Sequence, residues 1–289
     1  MNVTEKISRF EKERKRAKAQ SVFLRTIVYI AVILTLSALA FVIAYILFKG
    51  IPNISLDLFS PEYTSENASV VPAIINTVTM TLISLLIAVP LGVFSAIYLV
   101  EYAKRGNKLV ALVRTTAETL SGIPSIVYGL FGYLMFVVYF GWGYSMLAGA
   151  LTLSIMILPV IMRTTEEALK SIPDTFREGS FGLGAGKLRT VFKIVLPSAI
   201  PGILAGVVLS VGRIVGETAA LIYTAGTVAQ IPDTVLRSGR TLSVHLYALW
   251  NEGLAQGKAY TSAVVLLIVV VGINALSAFI AKRLSREKV

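Results

Sequence analysis

Six apolar runs of bilayer length decide what this chain can fold into. They lie at about 25–48, 73–100, 120–140, 146–162, 198–222 and 261–281. About 20 apolar residues cross the hydrocarbon core as a helix, and in lipid every backbone polar group must be satisfied inside the protein. The fold class this predicts is all-α, a polytopic transmembrane helical bundle of six spans. Composition supports it: 15% of the 289 residues are charged, against about 25% in soluble domains. The first 20 residues are highly charged, unlike the start of a cleaved signal peptide, so the first run is expected to stay as a helix. Proline interrupts the second run at Pro90, precedes the most apolar part of the third at Pro124, and falls in the first turn of the fifth at Pro201.

The basic residues set the orientation. Of 27 Lys and Arg, 22 fall in the N-terminal arm through Arg25, in 101–116, in 163–197 and in the tail from Lys282. Lys49, Arg237, Arg240 and Lys258 fall on the other side, and Arg213 lies within a span. The asymmetry predicts that both termini and the 163–197 loop are cytoplasmic. The chain then divides into a basic cytoplasmic arm, 1–24, and a transmembrane domain, 25–289, with 163–197 as its main cytoplasmic loop. The net charge of +11 follows from this sidedness. The arm, with a charged helix candidate from Glu5 to Lys18, reads as a solvated or lipid-headgroup segment rather than a nucleic-acid binder. On the external side, 49–72 and 223–260 form sizeable loops, the second with a re-entrant or interfacial helix near 240–255.

Arg213 and Glu217 are the charges that stand out within the apolar stretches. An arginine near mid-bilayer costs about 2.5–3.5 kcal/mol even on lenient insertion scales, so such residues usually line a polar path. A guanidinium suits an anion such as phosphate. At i, i+4 the two side chains could equally neutralise each other. With the fifth span starting near Ser198, Arg213 lies about 22 Å along it, towards the external half.

The 163–197 loop carries the second signal. Pro173-Asp174 is a good helix start, and Phe176, Ser180, Phe181 and Leu183 are expected to form a contact face. Gly184 and Gly186 permit a tight turn back into the fifth span. The run Gly182-Leu183-Gly184-Ala185-Gly186-Lys187-Leu188 is no phosphate-binding Walker loop: Phe181 stands where its first glycine is required and Leu188 where Ser or Thr is required. Cys is absent and His245 is the one histidine, which argues against thiolate, disulfide or histidine-based metal chemistry.

From Glu178-Gly179-Ser180 through Gly184 and Ile194 to Leu196-Pro197, the loop spacing resembles the EAA loop of ABC-importer permeases, with small residues replacing both alanines. Added to Gly122-Ile123-Pro124-Ser125-Ile126-Val127-Tyr128-Gly129 and Gly212-Arg213-Ile214-Val215-Gly216-Glu217-Thr218, the chain resembles the permease subunits of the phosphate-specific ABC importer over about 70–285. The Leu196-Pro197 to Ile203 stretch and the Ser243 to Tyr247 run look more like the A-type than the C-type subunit. The resemblance implies a type I ABC-importer permease fold in the plasma (inner) membrane of a prokaryote. It implies Arg213, Glu217, Thr218, Ser125 and Tyr128 as substrate-path residues, and Glu178, Gly179, Ser180 and Gly184 as ATPase-coupling residues. The implied partners are a C-type permease, an ATPase dimer and an external phosphate-binding protein. The ATPase would hold ATP and Mg, with no cofactor on this chain and no catalysis by it. Another oxyanion (sulfate, molybdate or phosphonate) is the alternative cargo. An intramembrane enzyme fails on inventory: no histidine lies in a span, no G-x-S-x-G occurs, and Glu101, Glu118 and Glu217 are dispersed. A structural scaffold would leave the loop spacing and the membrane charges unexplained.

Overall fold

A computed structural model describes residues 3–104, 106–253 and 256–286. Among the described residues the chain is helical with no strand. Helix α1, Val3–Gly50, is 48 residues long, about 72 Å at 1.5 Å per residue. Residues 3–24 of the expected arm and the first apolar run are continuous in this one helix, and no Gly or Pro interrupts 3–49. Helix α1 packs chiefly on α11, Gln256–Arg286. At their junction the Thr261 hydroxyl donates to the Gly50 carbonyl at 3.0 Å. A Cβ on Gly50 would meet the Tyr260 carbonyl at 2.6 Å, so only glycine allows this approach.

Helix α2, Val71–Ile97, passes through Pro90 and continues as a π-helical turn over Tyr98–Tyr102. The third apolar run is not one straight span. Helix α3, Lys108–Ser121, ends at Gly122, and α4, Ser125–Gly132, starts after Pro124 and runs on as π-helix over Tyr133–Tyr139. The two axes are bent by 105°. Proline disfavours helical geometry in the residue before it, so Ile123 and Pro124 mark the break. Helix α5, Met146–Lys170, extends two turns beyond the apolar run, so the loop expected from 163 opens only after Lys170.

Helix α6, Asp174–Gly182, and α7, Lys187–Thr190, fill the loop. A π-helical segment, Val191–Val195, then leads into α8, Leu196–Val215. The fifth run therefore begins earlier than expected and stops at Gly216, and 219–224 form a separate short helix, α9, Ala219–Thr224. Helix α10, Leu242–Glu252, matches the helix expected near 240–255. Among the described residues, five helices are long and apolar enough to cross a membrane, or six with the bent pair counted as one.

Helix α5 is central, between α2 and α8, with Leu153, Met156, Ile157 and Ile161 fully buried. Hydroxyls tie α2 to α5: Ser84 donates to the Ala150 carbonyl and Ser154 to the Ser84 carbonyl, both at 3.2 Å. The segment 225–241 closes over the N-terminal end of α5. Met146 N donates to Arg237 O at 3.0 Å and Leu147 N to Val235 O at 2.8 Å, satisfying first-turn donors of α5. The Asn76 amide donates to the carbonyls of Gln230 at 2.9 Å and Arg240 at 3.2 Å.

Candidate functional site

Two broken helices meet at the site. Helix α4 packs on α9, and a Cβ on Gly129 would lie 2.8 Å from the Ala220 Cα. Gly132 likewise sits against Thr152 and Thr224. The motif Gly122–Gly129 and the motif Gly212–Ala219, 90 residues apart in sequence, are thus one packed unit. The Tyr128 hydroxyl donates to the Leu120 carbonyl at 2.7 Å, across the bend, adding a side-chain bond to a carbonyl that also accepts from Ile123 N at 3.1 Å. Tyr128 is therefore a brace for the bend. Ser125, half-buried, opens α4.

Arg213 occupies the last turn of α8, half-buried. It borders a hollow of about 500 Å³ with Val160, Val208, Leu209, Gly212 and Asn274. The pairing with Glu217 that the spacing allowed is not made: among the described residues, Arg213 belongs to none of the ion pairs within 4.0 Å. The helix ends at Gly216, so the i, i+4 register is lost before Glu217. Buried Glu217 instead accepts from Ala220 N at 3.0 Å and serves the first turn of α9, while its carbonyl accepts from the Ser243 hydroxyl at 2.6 Å. Thr218 is the N-cap residue of α9 and lines a separate, largely apolar hollow with Ser243, Tyr247 and Trp250.

Sequence reasoning missed two polar residues. Asn274 lies beside Arg213, its amide oxygen 3.4 Å from where a Gly212 Cβ would sit. The signal was a lone asparagine in the last apolar run. Arg240 was counted only as an external cation, yet it is 4% exposed. Its guanidinium lies 4.5 Å from the Tyr63 ring centroid, and Nη1 donates to Thr227 O at 3.5 Å while Nε and Nη2 make no hydrogen bond. Burial and the Arg240 charge lower the neighbouring His245 to about 3 from its ordinary 6.5, against a backbone contact at Ala68 that raises it. His245 is thus a neutral packing residue, edge-on to Tyr63 at 5.8 Å.

At the opposite end, α6 leaves Phe176, Phe181 and Leu183 exposed. Glu178 and Gly179 are exposed as well. Ser180 departs from the expected contact face: it is buried, 2.8 Å from the Thr190 hydroxyl, and pins α6 to α7. Gly184 has φ +80°, with open space where a side chain would go, so its role is the turn itself. Behind α6, Arg177 pairs with Glu101 at 2.7 Å and donates to the carbonyls of Leu169 at 3.0 Å and Ile172 at 2.9 Å. That network fixes α6 to the end of α2.

The model of the binding-protein-dependent transport system inner membrane component matches residues 88–288. The chain is 36% identical over 249 residues to the probable ABC transporter permease protein YqgI of Bacillus subtilis, covering 80% of this chain and 84% of that one. It is 34% identical over 268 residues to the phosphate transport system permease protein PstA of Pasteurella multocida, covering 87% and 92%. Among solved structures, a bacterial alginate ABC transporter chain superposes with a TM-score of 0.70 at 18% identity, over 92% of this chain and 96% of that one. A chain of the MetNI methionine ABC transporter gives 0.58 at 23%, over 74% and 93%; at these identities both speak to fold alone. The bundle, the loop and the two meeting breaks thus have a common origin: this chain belongs to the family of binding-protein-dependent transport inner membrane components, the multi-pass permease subunits of ABC importers.

Proposed function

We propose that this chain is the A-type permease of an ATP-driven inorganic phosphate importer. It forms the translocation path with a related C-type permease, an ATPase dimer supplies ATP hydrolysis with Mg, and an external phosphate-binding protein delivers the ion. The observation that carries the cargo reading is Arg213: a half-buried guanidinium at the end of a span, beside a helix break and paired with no carboxylate among the described residues. A phosphate anion cannot enter hydrocarbon bare, and a fixed cation compensates it. One unclamped arginine attracts the ion without the closed cage that would trap it, which conduction requires. The similarity to PstA supports phosphate over other oxyanions.

Coupling is assigned to α6, whose exposed Phe176, Phe181 and Leu183 suit an ATPase groove, with Glu178 at the rim. The Arg177–Glu101 network makes α6 rigid enough to pass a push to the spans. Uptake of labelled phosphate by cells carrying the assembled complex, challenged with unlabelled phosphate, sulfate, molybdate and phosphonate, tests the cargo. Competition by phosphate alone is expected, and equal competition by sulfate or molybdate would defeat the phosphate reading. The basic-residue asymmetry supports a reading in which both termini are cytoplasmic, with the chain in a prokaryote's plasma membrane. Cysteines at Glu62 and Lys187 are expected to label from opposite sides, and labelling of both in intact cells by an impermeant reagent would reverse that assignment.

A further inference from the structure

A cavity of about 600 Å³ opens between the end of α2, the start of α3 and the start of α6. It lies on the side where basic residues concentrate, away from Arg213. Lys104, Lys108, Arg114, Lys170 and Arg177 line it, against Glu101 and Asp174. Even with Glu166, which holds both Arg114 and Lys170 at 2.6 Å, bases outnumber acids by five to three. Arg177 is engaged by Glu101 and two carbonyls. Lys104 and Lys108 are exposed and form no ion pair among the described residues. They are the cations left to meet an external anion.

The helix beside the cavity points to the kind of anion. Helix α3 is amphipathic and bent by 105° from α4. Val110 is buried beneath it, and Arg114 ties it to α5 through Glu166. Leu109, Leu112 and Val113, at i, i+3 and i+4, remain exposed on another face. A helix with open apolar residues, basic residues beside them and an axis turned off the span is built to lie at the bilayer surface. Its N-terminus, at Asn107 and Lys108, lines the cavity, which adds the favourable end of the helix dipole to the lysines. Apolar contacts for an acyl chain thus lie next to cations for a phosphodiester.

We propose that this cavity binds the phosphate headgroup of an anionic phospholipid of the cytoplasmic leaflet, held by Lys104 and Lys108. Its tail lies along Leu109, Leu112 and Val113. Asp174 and Arg177, in the first turn of α6, share the cavity, so an occupied site braces the coupling helix against the membrane surface.

The test uses the whole purified complex in nanodiscs of phosphatidylglycerol mixed with phosphatidylcholine, and of phosphatidylcholine alone. Native mass spectrometry counts retained phosphatidylglycerol, and ATPase activity is followed in parallel. Lys104→Gln/Lys108→Gln is expected to weaken phosphatidylglycerol retention roughly 30-fold. The pair Lys104→Arg/Lys108→Arg is expected to keep it, which separates binding from misfolding. Lys193→Gln/Lys282→Gln removes the same charge elsewhere on this face and is expected to leave retention intact. Equal retention by the glutamine pair and wild type would overturn the proposal. So would binding of inorganic phosphate at these lysines with no lipid dependence, because the cavity would then serve a soluble anion.

Discussion

Arg177 and Arg213 show what a half-buried arginine does when it is answered and when it is not. Arg177 is met by Glu101, Asp174 and the carbonyls of Leu169 and Ile172, which come from the end of α2, the end of α5, the loop after it and α6 itself. Every face of its planar fork is used, so it holds shape. Arg213 sits at the end of α8 with a hollow before it and no carboxylate paired with it among the described residues. The same side chain is a rivet at one end of the molecule and an open hand at the other. The difference comes from the backbone: Gly216 ends the helix and turns Glu217 towards α9, whereas Glu101 is carried by a helix that stays continuous up to its partner.

The sharpest way to break this contrast is Arg213→Gln, expected to abolish phosphate uptake while the complex still assembles. The double variant Arg213→Gln/Glu217→Gln is expected to stay inactive, because the two residues are not a mutually neutralising pair; recovery of uptake would make them one. Arg213→Lys sharpens the result: partial uptake indicates that charge suffices, none that the planar fork is needed.

Arg177→Ala is expected to act on stability rather than on ion selection. It leaves Glu101, 7% exposed in its side chain, as an unanswered carboxylate, at a cost of about 3–5 kcal/mol. The measurement is the thermal midpoint and yield of the detergent-solubilised complex. An unchanged midpoint would remove the distinction between the two arginines.

Between these lies the coupling face. Gly184→Val forces φ +80° on a β-branched residue at about 1–2 kcal/mol, and Glu178→Ala removes an exposed charge with little effect on folding. Both are expected to insert normally and lose phosphate-stimulated ATP hydrolysis. Normal uptake and complex stability in both would refute the assignment of α6.

The smallest effect concerns His245. Its folded pKa is depressed, so in acid the unfolded state takes up the proton first. Stability is therefore independent of this group above about 6.5 and falls as pH drops from there towards about 3. The slope is at most about 1.4 kcal/mol per pH unit. His245→Gln is expected to flatten the acid side of the midpoint-versus-pH curve relative to wild type. An identical curve would place the histidine in a wetter setting than the buried contact with Arg240 and Tyr63.

The apolar runs and the 163–197 spacing made the bundle and the α6 turn legible in the sequence, because both are local patterns. Pro124 flagged a break but not a bend of 105°, since the direction depends on where α3 finds Glu166. The end of α8 was hidden because apolar residues continue on both sides of Gly216 and no proline marks the stop. The spacing alone points Ser180 outward; its inward position depends on α7 folding back to place Thr190 beside it. Arg240 was the hardest to read. A loop cation becomes buried only when 225–241 lies down over α2 and α5, a contact that hydropathy cannot register.

The unbroken α1 has a mechanical consequence. It is fastened at Gly50 against Tyr260 and Thr261 and extends from there to Val3 as a single rod. A rod anchored at one end is a lever: a small tilt within the bilayer becomes a displacement several times larger at the far tip. Whatever rocks α11 during a transport cycle will sweep the basic end of α1 across the membrane surface, converting a hidden rearrangement into visible motion outside the lipid.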